Sequence, residues 1–165
     1  MSEICEPPSI LLAIYLNDHL AAATGARELA RRAATRNRAS EYGPFLELLA
    51  REIEEDRESL LAIMDALEVK TDPLKVAVGW GAEKLGRLKL NGRLLGYSPL
   101  SRLVELETLQ LGVHGKLGLW RALAKLELEP LAAAGVALPG LIGRAERQLD
   151  ELELHRQRAA AEALG

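Results

Sequence analysis

Apolar residues recur every three or four positions along four long stretches of the chain, a period typical of amphipathic helices. Start signals precede two of these stretches, because Ser9 follows a pair of prolines and Ser98 precedes a proline. The pattern therefore predicts four long helices and one shorter helix, which lies between the second and third long ones. The predicted helices span 9–36, 41–68, 72–90, 99–128 and 139–163.

Helices of this number and length in a chain of 165 residues pack as a bundle. The first two helices are joined by a few residues, so they should be antiparallel neighbours. About 30 residues separate the second long helix from the third, which is enough to cross the length of the bundle. We predict an all-α fold, a single four-helix-bundle domain over 1–165 whose long crossover carries the short helix.

Composition favours helices and narrows the classes of partner. Leucine and alanine dominate while aromatic residues make up 4%, and the formal net charge of −3 gives no reason to expect nucleic acid as a partner. Cys5 is the single cysteine, so an intramolecular disulfide and a cysteine-rich zinc site are not expected. The N-terminus lacks a basic region, and the apolar run 10–16 is too short to span a membrane. We expect a cytoplasmic protein with no membrane partner.

Acidic residues interrupt two of the apolar helix faces. Glu52 and Asp56 lie at the centre of the second helix's stripe, and Asp18 interrupts that of the first, with His19 at its margin. The apolar members of the two stripes are Phe45, Leu49, Leu60, Ile63 and Leu67, and Leu11, Tyr15, Ala22, Ala26, Leu29 and Ala33. A buried carboxylate is costly unless it is neutralised, paired with a base or coordinated to a metal.

The third and fourth long helices carry bases that could pair with these acids. Arg156 lies on the inward face of the fourth helix, with Gln148 and His155 at the edge of that face. A polar flank of the third helix ends in bases, so we expect it to be solvated. Its members are Glu107, Gln110, His114, Arg121 and Lys125.

Three glycines fall at every third position of the third long helix: Gly112, Gly115 and Gly118. Each costs up to about 1 kcal/mol relative to alanine in a helix. Close approach of another helix, from this chain or from a second subunit, would compensate for that cost. The glycines therefore favour a homodimer.

The arrangement resembles the ferritin-like superfamily over almost the whole chain, from Ser9 to Ala163, in its four long helices and its long second-to-third crossover. The resemblance implies two metal ions at the bundle centre, held by a carboxylate from each of two helices and a Glu-x-x-His from each of the other two. The 34 residues from Asp18 to Glu52 are similar to the family's first-to-second-helix ligand spacing. No Glu-x-x-His occurs, however, and Glu55 follows Glu52 by three residues. The chain thus resembles a degenerate bacterial member of the superfamily.

One functional hypothesis is metal binding. Asp18, Glu52 and Asp56, with His19 or His114, would coordinate Fe or Mn, because carboxylate-rich sites suit these metals. The chemistry would be redox or oxygen activation, which would make the chain an oxidoreductase.

Two further hypotheses need no metal. In the favoured one, the chain is a non-catalytic bundle used for assembly or partner binding, and its inward acids pair with Arg156, Arg121 or a backbone group. In the other, the chain is an enzyme in which Glu52 and Asp56 share a proton inside a cavity. Neither a nucleophile motif nor a glycine-rich phosphate loop supports the enzyme.

Overall fold

The computed structural model describes residues 9–73, 97–126 and 128–165, and every regular element in these ranges is a helix. This confirms the all-α prediction and the four long helices. The helices are α1 (Ile10–Asn37), α2 (Gly43–Ala66), α3 (Pro99–Lys125), the short α4 (Glu129–Ala133) and α5 (Leu138–Leu164). The helix predicted over 72–90 lies, apart from its first two residues, outside the described residues.

The helices begin where their sequence signals predict. The Ser9 hydroxyl accepts a hydrogen bond from the Leu12 amide at 3.2 Å, which satisfies one of the free amides at the start of α1. At α3, Ser98 and Ser101 form a reciprocal capping box. Prolines occupy the first turns of α2, α3 and α5, where a missing amide proton costs little.

Side-chain contacts define the directions of the long helices. Five residues, 38–42, join α1 to α2, and Arg57 of α2 donates to Thr24 of α1 at 3.2 Å, so this pair is antiparallel. The pair α3 and α5 is also antiparallel, because Gln110 contacts Glu153 at 3.1 Å while Arg121, further along α3, contacts the earlier residue Glu146.

α1 also runs antiparallel to α3. Arg36 near the end of α1 contacts Glu105 near the start of α3 at 3.2 Å, whereas Ala26 lies beside Gly112. Since α2 and α3 are both antiparallel to α1, they run in the same direction. The end of α2 and the start of α3 therefore lie towards opposite ends of α1.

The described residues on either side of the connection between α2 and α3 contact different ends of α1. Asn17, near the start of α1, donates to the Lys70 carbonyl at 3.0 Å, and Asn37, at the end of α1, donates to the Tyr97 hydroxyl at 2.6 Å. The two asparagines are 20 residues apart on one helix, which corresponds to about 30 Å. Lys70 and Tyr97 therefore lie near opposite ends of α1.

The core lies between the long helices and is built mainly from leucine, with Trp120 and Tyr42 as its largest fully buried side chains. Burial of this apolar surface is the main stabilising term of such a bundle. A few polar side chains are buried with it: Asn17, Thr24, Asn37, Asp56, Ser101 and Gln148. None of the helices in the described ranges combines the length and the apolar character needed to cross a bilayer.

Candidate functional site

Asp56 is a buried acid near the middle of α2, with only 2% of its surface exposed. Its burial confirms that the predicted stripe of α2 faces the core. The Lys116 ammonium group of α3 donates to Asp56 Oδ2, and Arg144 Nε of α5 lies 3.2 Å from Oδ1. The carboxylate is therefore held by a cation from each of two other helices.

Gln148 of α5 connects this ion pair to the second acid of the stripe. Its side chain is 3% exposed, its Oε1 accepts from Lys116 Nζ at 2.6 Å, and its Nε2 donates to Glu52 Oε2 at 2.9 Å. Glu52 is half-buried. We call Glu52, Asp56, Lys116, Arg144 and Gln148 the central cluster.

The carboxylates of the central cluster face one ammonium and one guanidinium group, and the guanidinium of Arg144 also donates to the exposed Glu55. Burial lowers the pKa of Lys116, while the adjacent Asp56 carboxylate acts in the opposite direction. Buried charges that are paired and hydrogen-bonded in this way avoid most of the cost of leaving water. The cluster is thus a closed polar contact between α2, α3 and α5.

Asp18 lies outside the central cluster and is exposed on α1, so the prediction that it points into the bundle is wrong. The helix instead buries a face through Leu16, Leu20 and Thr24, and leaves Leu11 and Tyr15 exposed. This rotation of α1 about its axis buries the branched side chains of Leu16 and Leu20 and exposes the face that contains Asp18. Asp18 and Glu52 are not brought together.

The two predicted histidine ligands lie apart. His19 is half-buried, and burial lowers its pKa although the neighbouring Asp18 acts to raise it. His114 is exposed on α3. Neither histidine contacts Glu52 or Asp56 through a hydrogen bond in the described part of the chain.

The bases proposed as partners of the inward acids pair with other carboxylates, Arg121 at the surface and Arg156 at a half-buried position. Arg121 pairs with Glu146 at 2.8 Å, and Arg156 pairs with Glu153 at 2.7 Å, so the expectation that either base meets Asp18 or Asp56 is wrong. Of the flank of α3 predicted to be solvated, Glu107, His114, Arg121 and Lys125 are exposed, whereas Gln110 is half-buried and donates to Glu153 of α5 at 3.1 Å. The inward acid Asp56 is nevertheless paired with bases, which come from other positions.

Sequence reasoning missed Lys116, although its spacing gives a usable signal. Lys116 follows Val113 by three residues and precedes Trp120 by four, and both of these side chains are buried. It therefore shares the inward face of α3. Arg144 precedes Gln148 by four residues and shares its side of α5 in the same way.

The side chains present do not fit a two-metal carboxylate centre. Among residues 9–73, 97–126 and 128–165, no three histidine, cysteine, aspartate or glutamate side chains are grouped so that they could hold a metal ion. Asp56 directs its oxygens towards Lys116 and Arg144, which occupy the space a cation would take beside it. Two such positive groups would also repel a metal ion.

An apolar cavity of about 200 Å³ adjoins the central cluster between α1, α2 and α3. Asp56 and Lys116 form part of its wall, with the half-buried His19 and Arg57. The rest of the lining consists of small or apolar residues: Ala22, Ala23, Ala26, Ile53, Leu60, Leu109, Leu111, Gly112, Val113, Gly115, Leu119 and Trp120.

Two of the three regularly spaced glycines of α3, Gly112 and Gly115, line this cavity. A Cβ atom at Gly112 would lie 3.8 Å from Ala26 Cβ, an ordinary contact, and a Cβ at Gly115 or Gly118 would meet nothing within 4 Å. Close approach of a helix from the described part of the chain therefore does not explain them. Gly112 and Gly115 instead leave space between α1 and α3.

A second polar network lies at the end of the bundle where α1 meets α2. The Tyr42 hydroxyl donates to Glu162 at 2.6 Å, and Arg102 donates to both Glu162 and Asn37 at 2.7 Å. The Arg102 guanidinium also stacks 4.4 Å from the Tyr42 ring centre. Burial and the bond to Glu162 raise the pKa of Tyr42 to about 12.

Comparison with known proteins finds no match to a protein-family model, a curated protein or a solved structure.

Proposed function

We propose that the chain is a non-catalytic binding and assembly bundle on a ferritin-like scaffold, in which an ion-pair cluster replaces the metal centre. The observation that carries this proposal is the pairing of Asp56 with Lys116 and Arg144. The scaffold is supported by the parallel course of α2 and α3 and by the connection between opposite ends of the bundle.

The electrostatics of the central cluster argue for a structural role. A two-metal centre depends on carboxylates that are free to bind the ions, whereas this cluster already contains two cationic side chains that pair with Asp56. The arrangement also disfavours an acid pair that shares a proton, because Gln148 lies between Glu52 and Asp56 as a hydrogen-bonding bridge. Specific pairing of this kind can define how helices align.

Assembly is supported by a surface on the first turns of α1. Ile10 and Leu11 are 79% and 77% exposed, and Ile14 and Tyr15 are also exposed. Adjacent large apolar side chains on one helix favour association, because contact with another surface removes them from water. A second copy of the chain is the partner we propose, which gives a homodimer.

Sedimentation velocity tests the assembly part of this proposal. We expect a dimer that Ile14→Glu converts to a monomer, since the substitution places a charge within the apolar surface. Leu154→Glu on α5 is the matched control, because Leu154 is an exposed leucine on a different helix. A monomeric wild-type chain at tens of micromolar would refute the dimer, and equal effects of the two substitutions would refute the assignment of its interface to α1.

Metal titration tests the central part of the proposal. The purified chain is incubated anaerobically with Fe(II) or Mn(II), desalted and analysed for metal content. We expect no stoichiometric uptake by the wild type. Asp65→Asn is the control, because Asp65 is exposed on the same helix. Stoichiometric uptake that is abolished by Asp56→Asn and preserved by Asp65→Asn would instead establish the carboxylate-bridged Fe or Mn alternative.

A further inference from the structure

The cavity between α1, α2 and α3 is large enough for a small organic ligand. Its volume is about 200 Å³, and an apolar protein cavity of about 150 Å³ can bind benzene. Its wall is formed mainly by alanine, glycine and large apolar side chains. Such a lining suits the apolar body of a ligand with a single ring.

Arg57 provides a charge in the wall of the cavity that has no counter-ion among the residues the structure describes. Its Nε donates to the Thr24 hydroxyl at 3.2 Å, and no carboxylate of the described ranges pairs with it. The neighbouring Asp56 does not neutralise it, because that carboxylate is held by Lys116 and Arg144. The cavity therefore combines an apolar interior with one unmatched positive charge.

The other titratable side chains of the wall do not cancel this charge. Lys116 is balanced by Asp56, and the lowered pKa of His19 leaves its imidazole mainly uncharged at neutral pH. A guanidinium group beside an apolar surface favours a carboxylate ligand, since it can form two charge-assisted hydrogen bonds to it. A cationic ligand of the same size would be repelled.

We propose that this cavity binds a small monocarboxylate with a single-ring apolar body, whose carboxylate pairs with Arg57 and whose ring lies against Ala26, Gly112 and Gly115. The inference rests on the proposed function, because it gives a chemical identity to a ligand of a binding bundle. The roles proposed for the central cluster and for the exposed apolar side chains of α1 do not depend on this site.

Isothermal titration calorimetry with three probes of similar size tests the charge preference. Benzoate is anionic, benzyl alcohol is neutral and benzylamine is cationic. We expect saturable binding of benzoate that is tighter than that of benzyl alcohol, with benzylamine weakest. Absence of saturable benzoate binding, or benzylamine binding as tight as benzoate, would overturn the proposal.

Substitution of Arg57 tests its role directly. Arg57→Gln should weaken benzoate binding by about tenfold or more, because it removes a charged hydrogen bond, and should leave benzyl alcohol binding unchanged. Arg51→Gln is the matched control, since Arg51 is an exposed arginine of the same helix. Equal benzoate affinity in the two variants would overturn the assignment of Arg57.

A filled cavity tests the location of the ligand. Gly115→Leu should abolish binding of benzoate and benzyl alcohol, whereas Gly118→Leu should preserve it. Both glycines have open space where a Cβ would lie, but only Gly115 lines the cavity. Unchanged binding in a folded Gly115→Leu variant would overturn the location, and the Arg57 variants still test the proposal if Gly115→Leu does not fold.

The same samples separate failure of this inference from failure of the proposed function. Stoichiometric Fe(II) or Mn(II) uptake refutes the proposed function, whatever benzoate does. Failure of benzoate to bind a chain that takes up no metal refutes the ligand site alone.

Discussion

Replacing Asp56 by asparagine removes one negative charge from the centre of the bundle and leaves its shape almost unchanged. Lys116 and Arg144, whose side chains are 15% and 21% exposed, then lose their shared carboxylate, and only Arg144 keeps another acid, the exposed Glu55. Removing one partner of a buried ion pair typically costs 3–5 kcal/mol, and the partial exposure of the two cations lowers that figure, so we expect about 3 kcal/mol. For a chain of this size, that corresponds to a decrease in Tm of roughly 6–12 °C.

Urea denaturation of Asp56→Asn and Asp65→Asn measures this effect. Asp65 is exposed on the same helix, so its substitution should change stability by less than about 0.5 kcal/mol. The double variant Asp56→Asn/Lys116→Met should be destabilised less than the sum of its single variants, because the unpaired ammonium group is also removed. Equal stability of Asp56→Asn and Asp65→Asn would refute the reasoning.

Three further predictions concern helix glycines and pH. Gly115→Ala should stabilise the protein by about 0.5–1 kcal/mol, whereas Gly43→Ala should destabilise it because its Cβ would lie 2.7 Å from the Arg38 carbonyl oxygen. Urea denaturation that shows a change of the same sign for both variants would contradict this. Burial raises the pKa of Tyr42 from 10.0 to about 12, so the stability it contributes below pH 10 should be lost as the pH rises to 12. Tyr42→Phe should reduce this loss of stability in thermal denaturation at alkaline pH, and equal losses in the two proteins would contradict the prediction. Burial lowers the pKa of His155 below 6.5, so the stability it contributes should be lost as the pH falls below 6.5. His155→Phe should reduce this loss of stability in thermal denaturation at acid pH, and the same dependence of Tm on pH in the two proteins would contradict the prediction.

The sequence predicts the inward position of Asp56 because α2 offers one face for burial. Leu49 lies seven residues before it, Leu60 and Ile63 lie four and seven residues after it, and all three are buried. A helix that packs on these residues must carry Asp56 inside with them. The hydrophobic pattern therefore sets the rotation of α2 about its axis.

The same reasoning failed for α1, where apolar residues surround the helix. Leu16 and Leu20 lie on one face that could be buried, whereas Leu11, Tyr15 and Ala22 lie on another. Alanine gives little preference between them because its side chain buries little area. The structure selects the leucine face, which places Asp18 on the surface.

The cationic partners of Asp56 differ in how far the sequence predicts them. Lys116 shares the spacing of buried neighbours on α3, so its inward position is available from the pattern. Arg144 reaches Asp56 with a long, flexible side chain from α5, and its contact depends on the distance and register between two helices that are far apart in sequence. Those quantities require the packed structure.

A crystal structure of the chain grown with Mn(II) and measured at a wavelength where manganese scatters anomalously tests the central claim most directly. We predict that Lys116 Nζ contacts Asp56 Oδ2, that Gln148 bridges to Glu52, and that no anomalous peak lies between these side chains. A manganese peak bound by Glu52 and Asp56, with Lys116 displaced from the cluster, would contradict the account.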